Sequence, residues 1–223
     1  MLEFIGIRPG MVALDLSTGG GYTSELLARA TGATGRVYGQ STPSVVRTPP
    51  AAPEGGAAAA ASASAAGAPR PSPMALAERA QKPAVRSLVA VVRPFESPVP
   101  DEVAHEGLDL VTFMFNYHDL GHMGVDRGQL NQAVFAALKP GGMYVIADHA
   151  GRQGTGISES GTLHRIEQSF LQAEVERAGF KLVAEGRFLR NPSDPHDQNT
   201  LNPPQPKDEF VLKFVKPLTS GAQ

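Results

Sequence analysis

Apolar positions recur along this chain in two periods, and their alternation lays out most of the architecture. Val12, Leu14 and Leu16 alternate with small or acidic neighbours, which is the two-residue repeat of a strand, and the glycines at 19–21 follow at once. Leu26, Leu27 and Ala30 then share a helical face, with Thr23 or Ser24 as the expected cap. Residues 36–40 read as a second strand. The runs SLVAVV (87–92) and LDLVTFMF (108–115) are continuously apolar, as parallel strands covered on both faces are. Asp126 and Gln129 have the spacing of a capping box, Leu130, Val134 and Leu138 fall one per turn on the helix behind it, and KPGG (139–142) ends that helix. MYVIAD (143–148) reads as a fifth strand. A helix over 167–178 turns Phe170, Leu171 and Val175 inward and stops at Gly179. Two last strands, 180–185 and 209–215, have no helix between them and pair antiparallel across a proline-rich loop at 191–207. The expected fold class is therefore α/β, a doubly wound seven-stranded sheet, mostly parallel, with an antiparallel C-terminal hairpin.

One stretch breaks the rhythm. Residues 42–84 are nearly all Ala, Pro, Gly and Ser, without bulky apolar anchors, and are expected to be a largely disordered insertion inside a single domain spanning 1–223. A chain of 223 residues buries one substantial core. Its net charge of −2, from 20 basic and 22 acidic residues without a basic cluster, argues against nucleic acid as a partner. No apolar run approaches the roughly 18 residues of a membrane helix. The expectation is a soluble protein, cytoplasmic as the chain stands. The absence of cysteine excludes disulfides, thiolate catalysis and cysteine-bound zinc. Nothing in the pattern indicates an oligomeric state.

The turn after the first strand carries the chemistry. VALDLSTGGGY (12–22) joins strand to helix through glycines, which let backbone approach a ligand without Cβ clashes and leave free N–H groups at the helix start. A dinucleotide site would need a third small residue where Ser24 stands and an acid at the end of the second strand, where Gln40 and Ser41 are uncharged. The run instead resembles motif I of the class I S-adenosylmethionine (AdoMet) methyltransferases, with Asp15 as the acid of the first strand and Ser17 where that family usually has its first glycine.

ALKPGGMYVIADH (137–149) is similar to the helix exit and fifth strand of that superfamily. Together with NYHDLGHMGVDR (116–127), LHRIEQSFLQAEVERAGF (163–180), LRNPSDPH (189–196) and FVLKFVKP (210–217), it resembles a group of small bacterial predicted methyltransferases without an assigned substrate, over nearly everything except residues 42–84. The resemblance implies a Rossmann-like fold, S-adenosyl-L-methionine as cofactor and a small-molecule acceptor. Members of that group commonly carry extra sequence, often with an export signal, before the first strand, which would make the protein periplasmic.

In such a sheet, ligands sit beyond the carboxyl ends of the strands where the order reverses. On this reading Asp15, Ser17, Gly19, Gly21, Gln40, Phe95 and Asn116 bind cofactor, with the ribose near Gln40 and the adenine beside Phe95. Phe95 equally suits plain core packing, and Gln40 an ordinary polar strand end. An acceptor that must lose a proton calls for a base near the fourth and fifth strand ends, where His118, Asp119 and His149 are the candidates, against loop-orienting roles for Asp119 and Asp148. Tyr117 and His118 replace the prolines of an NPPY motif, so an amine or nucleobase acceptor is not supported. His164 and Arg165 stand ready to bind an acceptor carboxylate or fix the loop GRQGTGISESG (151–161), whose glycines suit a mobile cover. Two rival classes remain: a binding module on the same sheet without catalysis, motivated by Ser17 and Gln40, and a zinc hydrolase built on HDLGH (118–122). The zinc motif needs a helix, which Gly121 and Gly124 oppose. No metal ligand is assigned, although Asp119, Asp148 and His149 could hold a divalent ion for an oxygen acceptor.

Overall fold

The computed structural model describes residues 1–43, 72–199 and 201–218. Its strands are β1 (Val12–Leu16), β2 (Arg36–Ser41), β3 (Leu88–Val92), β4 (Leu108–Met114), β5 (Leu138–His149), β6 (Lys181–Gly186) and β7 (Glu209–Val215). They form one sheet in the order β3-β2-β1-β4-β5-β7-β6. All pairings from β3 to β5 are parallel, whereas β7 runs antiparallel to both β5 and β6. The helices are α1 (Leu2–Ile5), α2 (Tyr22–Thr31), α3 (Ser72–Ala80), α4 (Asp119–His122), α5 (Arg127–Ala137) and α6 (Gln168–Arg177). The expected mostly parallel sheet with an antiparallel C-terminal hairpin is thus present.

The period-two pattern sorts each strand between two cores. Leu14 and Leu16 join Phe113, Tyr144, Phe180 and Phe214 on one face, while Ala13, Val37, Leu110, Val145 and Val211 pack on the other. The chain builds outward from β1 to β3, then returns to place β4 on the far side of β1. Neighbouring loops diverge at such a reversal, which in open sheets of this kind is where the ligand crevice lies, here at the carboxyl ends of β1 and β4.

Local signals held where their partners are near in sequence. Asp126 caps α5 by accepting from the Gln129 amide at 2.9 Å, and Gly179, at φ +106°, follows α6 in the left-handed region. Other expectations change. Neither Thr23 nor Ser24 caps α2: Gly21 does, at φ +79°, because the Ser24 hydroxyl donates to Asp15 instead. β5 begins at Leu138, before the KPGG bend rather than after it. The segment expected to be disordered over 42–84 is ordered from Ser72, and residues 44–71 lie outside the described residues. Leu76 anchors α3, being 1% exposed and lodged so close to the turn that a Cβ on Gly21 would stand 2.6 Å from its Cδ1. The loop at 151–161, expected to be a mobile cover, is tied down: Glu167 accepts from the Gly154 and Gly156 amides, and the Ser160 hydroxyl donates to the His118 carbonyl at 2.7 Å.

Candidate functional site

Three residues of the turn after β1 lie in the left-handed region: Ser17 (φ +54°), Gly19 (φ +53°) and Gly21 (φ +79°). Two of them are glycine, which is the residue such a turn selects, and Ser17 adopts the same conformation at a steric cost. A Cβ on Gly19 would meet nothing within 4 Å, so its outer side opens into free space among the described residues. The turn is fixed from both sides. The Ser17 amide donates to Gln40 Oε1 (2.9 Å), the Thr18 amide to the Gln40 carbonyl (3.0 Å), and the Asn116 side chain to the Ser17 carbonyl (3.3 Å). Arg79 of α3 donates to the Gly20 carbonyl and pairs with Glu25 of α2, so the helix ordered inside the supposed insertion also braces the turn. No side chain at the cap position closes α2 among the described residues; the Ser24 amide is drawn to the Asp15 carboxylate, and the amides before it face the turn.

Asp15 lies beneath this turn rather than inside the crevice. It is 1% exposed and accepts from the hydroxyls of Ser24 and Thr112, both at 2.7 Å, which pins α2 and β4 to β1. Burial pushes its carboxyl up to about 6, against the opposing pull of those two hydrogen bonds. At the end of β2, Gln40 is fully buried and bridges the Ser17 amide to the Arg93 carbonyl (2.7 Å), so its amide serves the turn. Phe95 is 6% exposed and stacks on Phe113, with centroids 6.1 Å apart, as a core residue does.

The methionine end of an AdoMet molecule fits this environment better than the ribose end. Gly19 and the uncapped start of α2 offer backbone to a carboxylate, and Thr18 Oγ1 and Ser41 Oγ are buried without a hydrogen-bond partner. A carboxylate for the ribose hydroxyls is missing from the end of β2, where Ser41 Oγ is the polar atom left over.

Beyond β4 and β5, four imidazoles converge. The rings of His118 and His149 are 5.5 Å apart, those of His118 and His164 5.6 Å, and those of His122 and His164 5.9 Å. Asp148 is fully buried and organises them: it accepts from the His118 amide (2.8 Å), the His149 amide (2.8 Å) and His118 Nδ1 (2.6 Å). Asp119 Oδ1 stands 3.1 Å from His118 Nε2 and 3.0 Å from His164 Nδ1. Burial alone would discharge His118, but Asp119 and Asp148 outweigh it and push its imidazole up to about 9. Asp119 is correspondingly held down at about 2, because His118 and His164 overcome its own partial burial. His149 Nδ1 lies 3.1 Å from Glu209 Oε1 but makes no hydrogen bond to it.

The three base candidates are therefore brought together, but they differ in what they can do. His118 keeps its proton between two carboxylates, Asp119 is engaged by two rings, and His149 is the freer imidazole. The trio Asp119, Asp148 and His149 does not form, since Asp148 turns all its contacts toward His118 and the His149 amide. HDLGH does make a helical turn, α4, contrary to expectation, but only one of four residues. His122 Nδ1 there bonds Ser160 at 2.9 Å, so the two-histidine helical face of a zinc hydrolase is not built. His164, at φ +51°, points to Asp119, whereas Arg165 turns wholly inward to Asp194 (2.9 Å) and the Ala150 and Gln198 carbonyls. Arg165 is thus a loop-fixing residue. Sequence reasoning missed the meeting of His164 with His118, whose shared signal was only the histidine count around two loops.

No protein-family model matches the sequence, and no curated protein is similar to it in sequence. Solved structures are similar in fold. An AdoMet-dependent methyltransferase from Aquifex aeolicus superposes with a TM-score of 0.63 at 15% identity, covering 96% of this chain and 87% of its own. The YcgJ protein from Bacillus subtilis gives 0.61 at 14% identity over 97% and 96% of the two chains. The [4+2]-cyclase SpnF gives 0.66 at 14% identity over 97% and 78%. On these superpositions, and with a mostly parallel seven-stranded sheet closed by an antiparallel hairpin, the chain has the fold of the class I AdoMet-dependent methyltransferases.

Proposed function

We propose that the chain is an AdoMet-dependent methyltransferase acting on a small-molecule acceptor. The observation that carries this is the turn from Ser17 to Gly21: left-handed at three of its residues, clear of the other described residues above Gly19, set at the sheet's reversal and followed by a helix with no side-chain cap among them. AdoMet, when bound, supplies a methyl group made electrophilic by the neighbouring sulfonium. Gly19 would hold it through main-chain atoms, while Ser17 and Gly21, whose amides donate to Gln40 and to the Thr18 carbonyl, keep the turn in shape, with Asn116 bracing the Ser17 carbonyl and Ser41 the nearest hydroxyl on the ribose side. Asp15 and Gln40 act one step back, by holding the turn in shape.

Of the residues beyond β4 and β5, His149 suits the role of base. Its side chain is about one-fifth exposed and its Nδ1 makes no hydrogen bond to the described residues, so the ring is available to accept the acceptor's proton. His118 is the opposite case: its retained charge gives the acceptor side a fixed positive centre, which suits an acceptor bearing an anionic or electron-rich oxygen.

A second reading has specific support. Gln40 stands where a ribose-binding acid would and Ser17 where the first glycine would, which favours a non-catalytic binding module on the same sheet. Calorimetry with AdoMet and S-adenosylhomocysteine separates the two. Heat from one equivalent of either, abolished in Gly19→Val, supports the cofactor site, because the branched side chain fills the open side of the turn and strains its left-handed backbone. Silence with both ligands in the folded wild-type protein removes the methyltransferase reading.

A further inference from the structure

We propose that His118, Asp119 and His164 form a binding site for a divalent transition-metal ion of the zinc class, at the carboxyl end of the sheet. The three come from two separate segments, the loop after β4 and the loop before α6, and their ligand atoms all lie within 4.8 Å of one another. Asp119 Oδ1 is 3.1 Å from His118 Nε2 and 3.0 Å from His164 Nδ1. A tetrahedral ion with bonds of about 2.0–2.1 Å sets its ligands about 3.3 Å apart, so both nitrogen–oxygen separations already match to a few tenths of an ångström. Of the two rings, that of His164, whose side chain is 41% exposed, is the freer to adjust around an ion.

Two further observations distinguish this cluster from an ordinary ion-pair network. The first is Asp148. Its fully buried carboxylate accepts from His118 Nδ1 at 2.6 Å and from the His118 amide at 2.8 Å, which fixes the ring orientation and leaves Nε2 as the ligand nitrogen, where the ion would take the place of the proton shared with Asp119. Carboxylate behind imidazole behind metal is the arrangement that metal-binding histidines use. The second is backbone strain: His164 sits at φ +51°, a conformation that a residue other than glycine keeps only where its surroundings over-determine it.

Two imidazoles and one carboxylate suit zinc, cobalt, nickel or iron better than magnesium or calcium, which favour all-oxygen shells. His122 stays outside the triad: its Nδ1 is 3.9 Å from Asp119 Oδ1 and bonds Ser160. A three-ligand ion keeps a coordination position for water or for an oxygen of the acceptor. That last consequence alone rests on the methyltransferase reading, since metal binding itself does not require AdoMet.

The test is titration of the chelator-treated full chain with Zn²⁺, Co²⁺ and Mg²⁺, each alone and without AdoMet, by calorimetry and, for Co²⁺, visible absorption. The expected result is one equivalent of Zn²⁺ at micromolar affinity or tighter, tetrahedral d–d bands with Co²⁺, and no heat with Mg²⁺. Asp148→Asn should weaken Zn²⁺ by about 10–100-fold, and His164→Ala, whose exposed side chain makes it the safest for folding, by more than that. His105→Ala, an exposed histidine elsewhere, should change nothing. The proposal is overturned if the folded wild-type protein binds no stoichiometric Zn²⁺, if Mg²⁺ binds as tightly, or if both His164→Ala and Asp119→Asn retain full affinity. AdoMet binding is measured in a separate titration, so either reading can fail while the other stands.

Discussion

Asp15 allows the energetics of the glycine turn to be tested directly. Its carboxyl rises from the ordinary 3.8 to about 6 in the folded protein, through burial that the Ser24 and Thr112 hydroxyls only partly offset. A group that binds its proton more tightly when folded adds stability below its unfolded value and loses it as pH rises through the folded one. The slope is therefore negative between 3.8 and about 6. About two units at 1.36 kcal/mol each makes the ionised carboxylate cost about 3 kcal/mol at neutral pH. Asp15→Asn removes the titration while keeping the shape, because the amide can accept from one hydroxyl and donate to the other. Urea denaturation of wild type and variant, followed by circular dichroism from about pH 4 to about pH 8, should show near parity at the acid end. The variant should gain about 3 kcal/mol on the wild type toward the alkaline end. Taking the difference cancels every other titrating group. A difference that does not change with pH, or that grows toward acid, would refute the assignment of Asp15 as a buried, strained anion beneath the turn.

Ser17→Gly should relieve a left-handed serine worth about 1–2 kcal/mol at an entropic cost of about 0.5–1 kcal/mol, for a rise in Tm of roughly 1–4 °C. Ser17→Ala, which keeps the Cβ, should show no such gain, and an equal gain would point to the hydroxyl instead. Arg165→Met leaves the Asp194 carboxylate buried without its cation, at about 3–5 kcal/mol, read by scanning calorimetry as a Tm lower by roughly 6–20 °C. A Tm within a degree or two of wild type would show that the pair does not fix the loop. His149→Ala should leave AdoMet affinity intact and lower turnover about 10²–10⁴-fold once an acceptor is found. Unchanged turnover would remove His149 as base.

What could be read from the sequence follows how far apart the interacting residues lie. The strand, turn and helix over 12–31 depend on neighbours, so periodicity and glycine placement were sufficient there, and the same holds for the Asp126 cap and the Gly179 stop. The doubly wound sheet and its antiparallel close were accessible too, since strands alternate with helices until the last two, which have none between them. α3 was not, because an Ala/Pro-rich segment gives no periodic signal and Leu76 becomes an anchor only against Gly21 and Gly39.

The chemistry of the site was less legible for the same reason. Asp15 looks like a ligand-facing acid until Thr112, a neighbour only because β1 pairs with β4, claims one of its oxygens. Gln40 looks free until the Ser17 amide and the Arg93 carbonyl occupy both ends of its side chain. Asp148 is the most consequential case: next to His149 in sequence, it directs its carboxylate chiefly at His118, across the β4–β5 pairing. That one contact separates the two histidines. It locks His118 with its Nε2 toward Asp119 and His164 and leaves the His149 side chain to Glu209, so that one ring is placed for a metal ion or a fixed charge and the other for a proton. The division of labour between two similar side chains is thus set by strand neighbours, which chain order does not display.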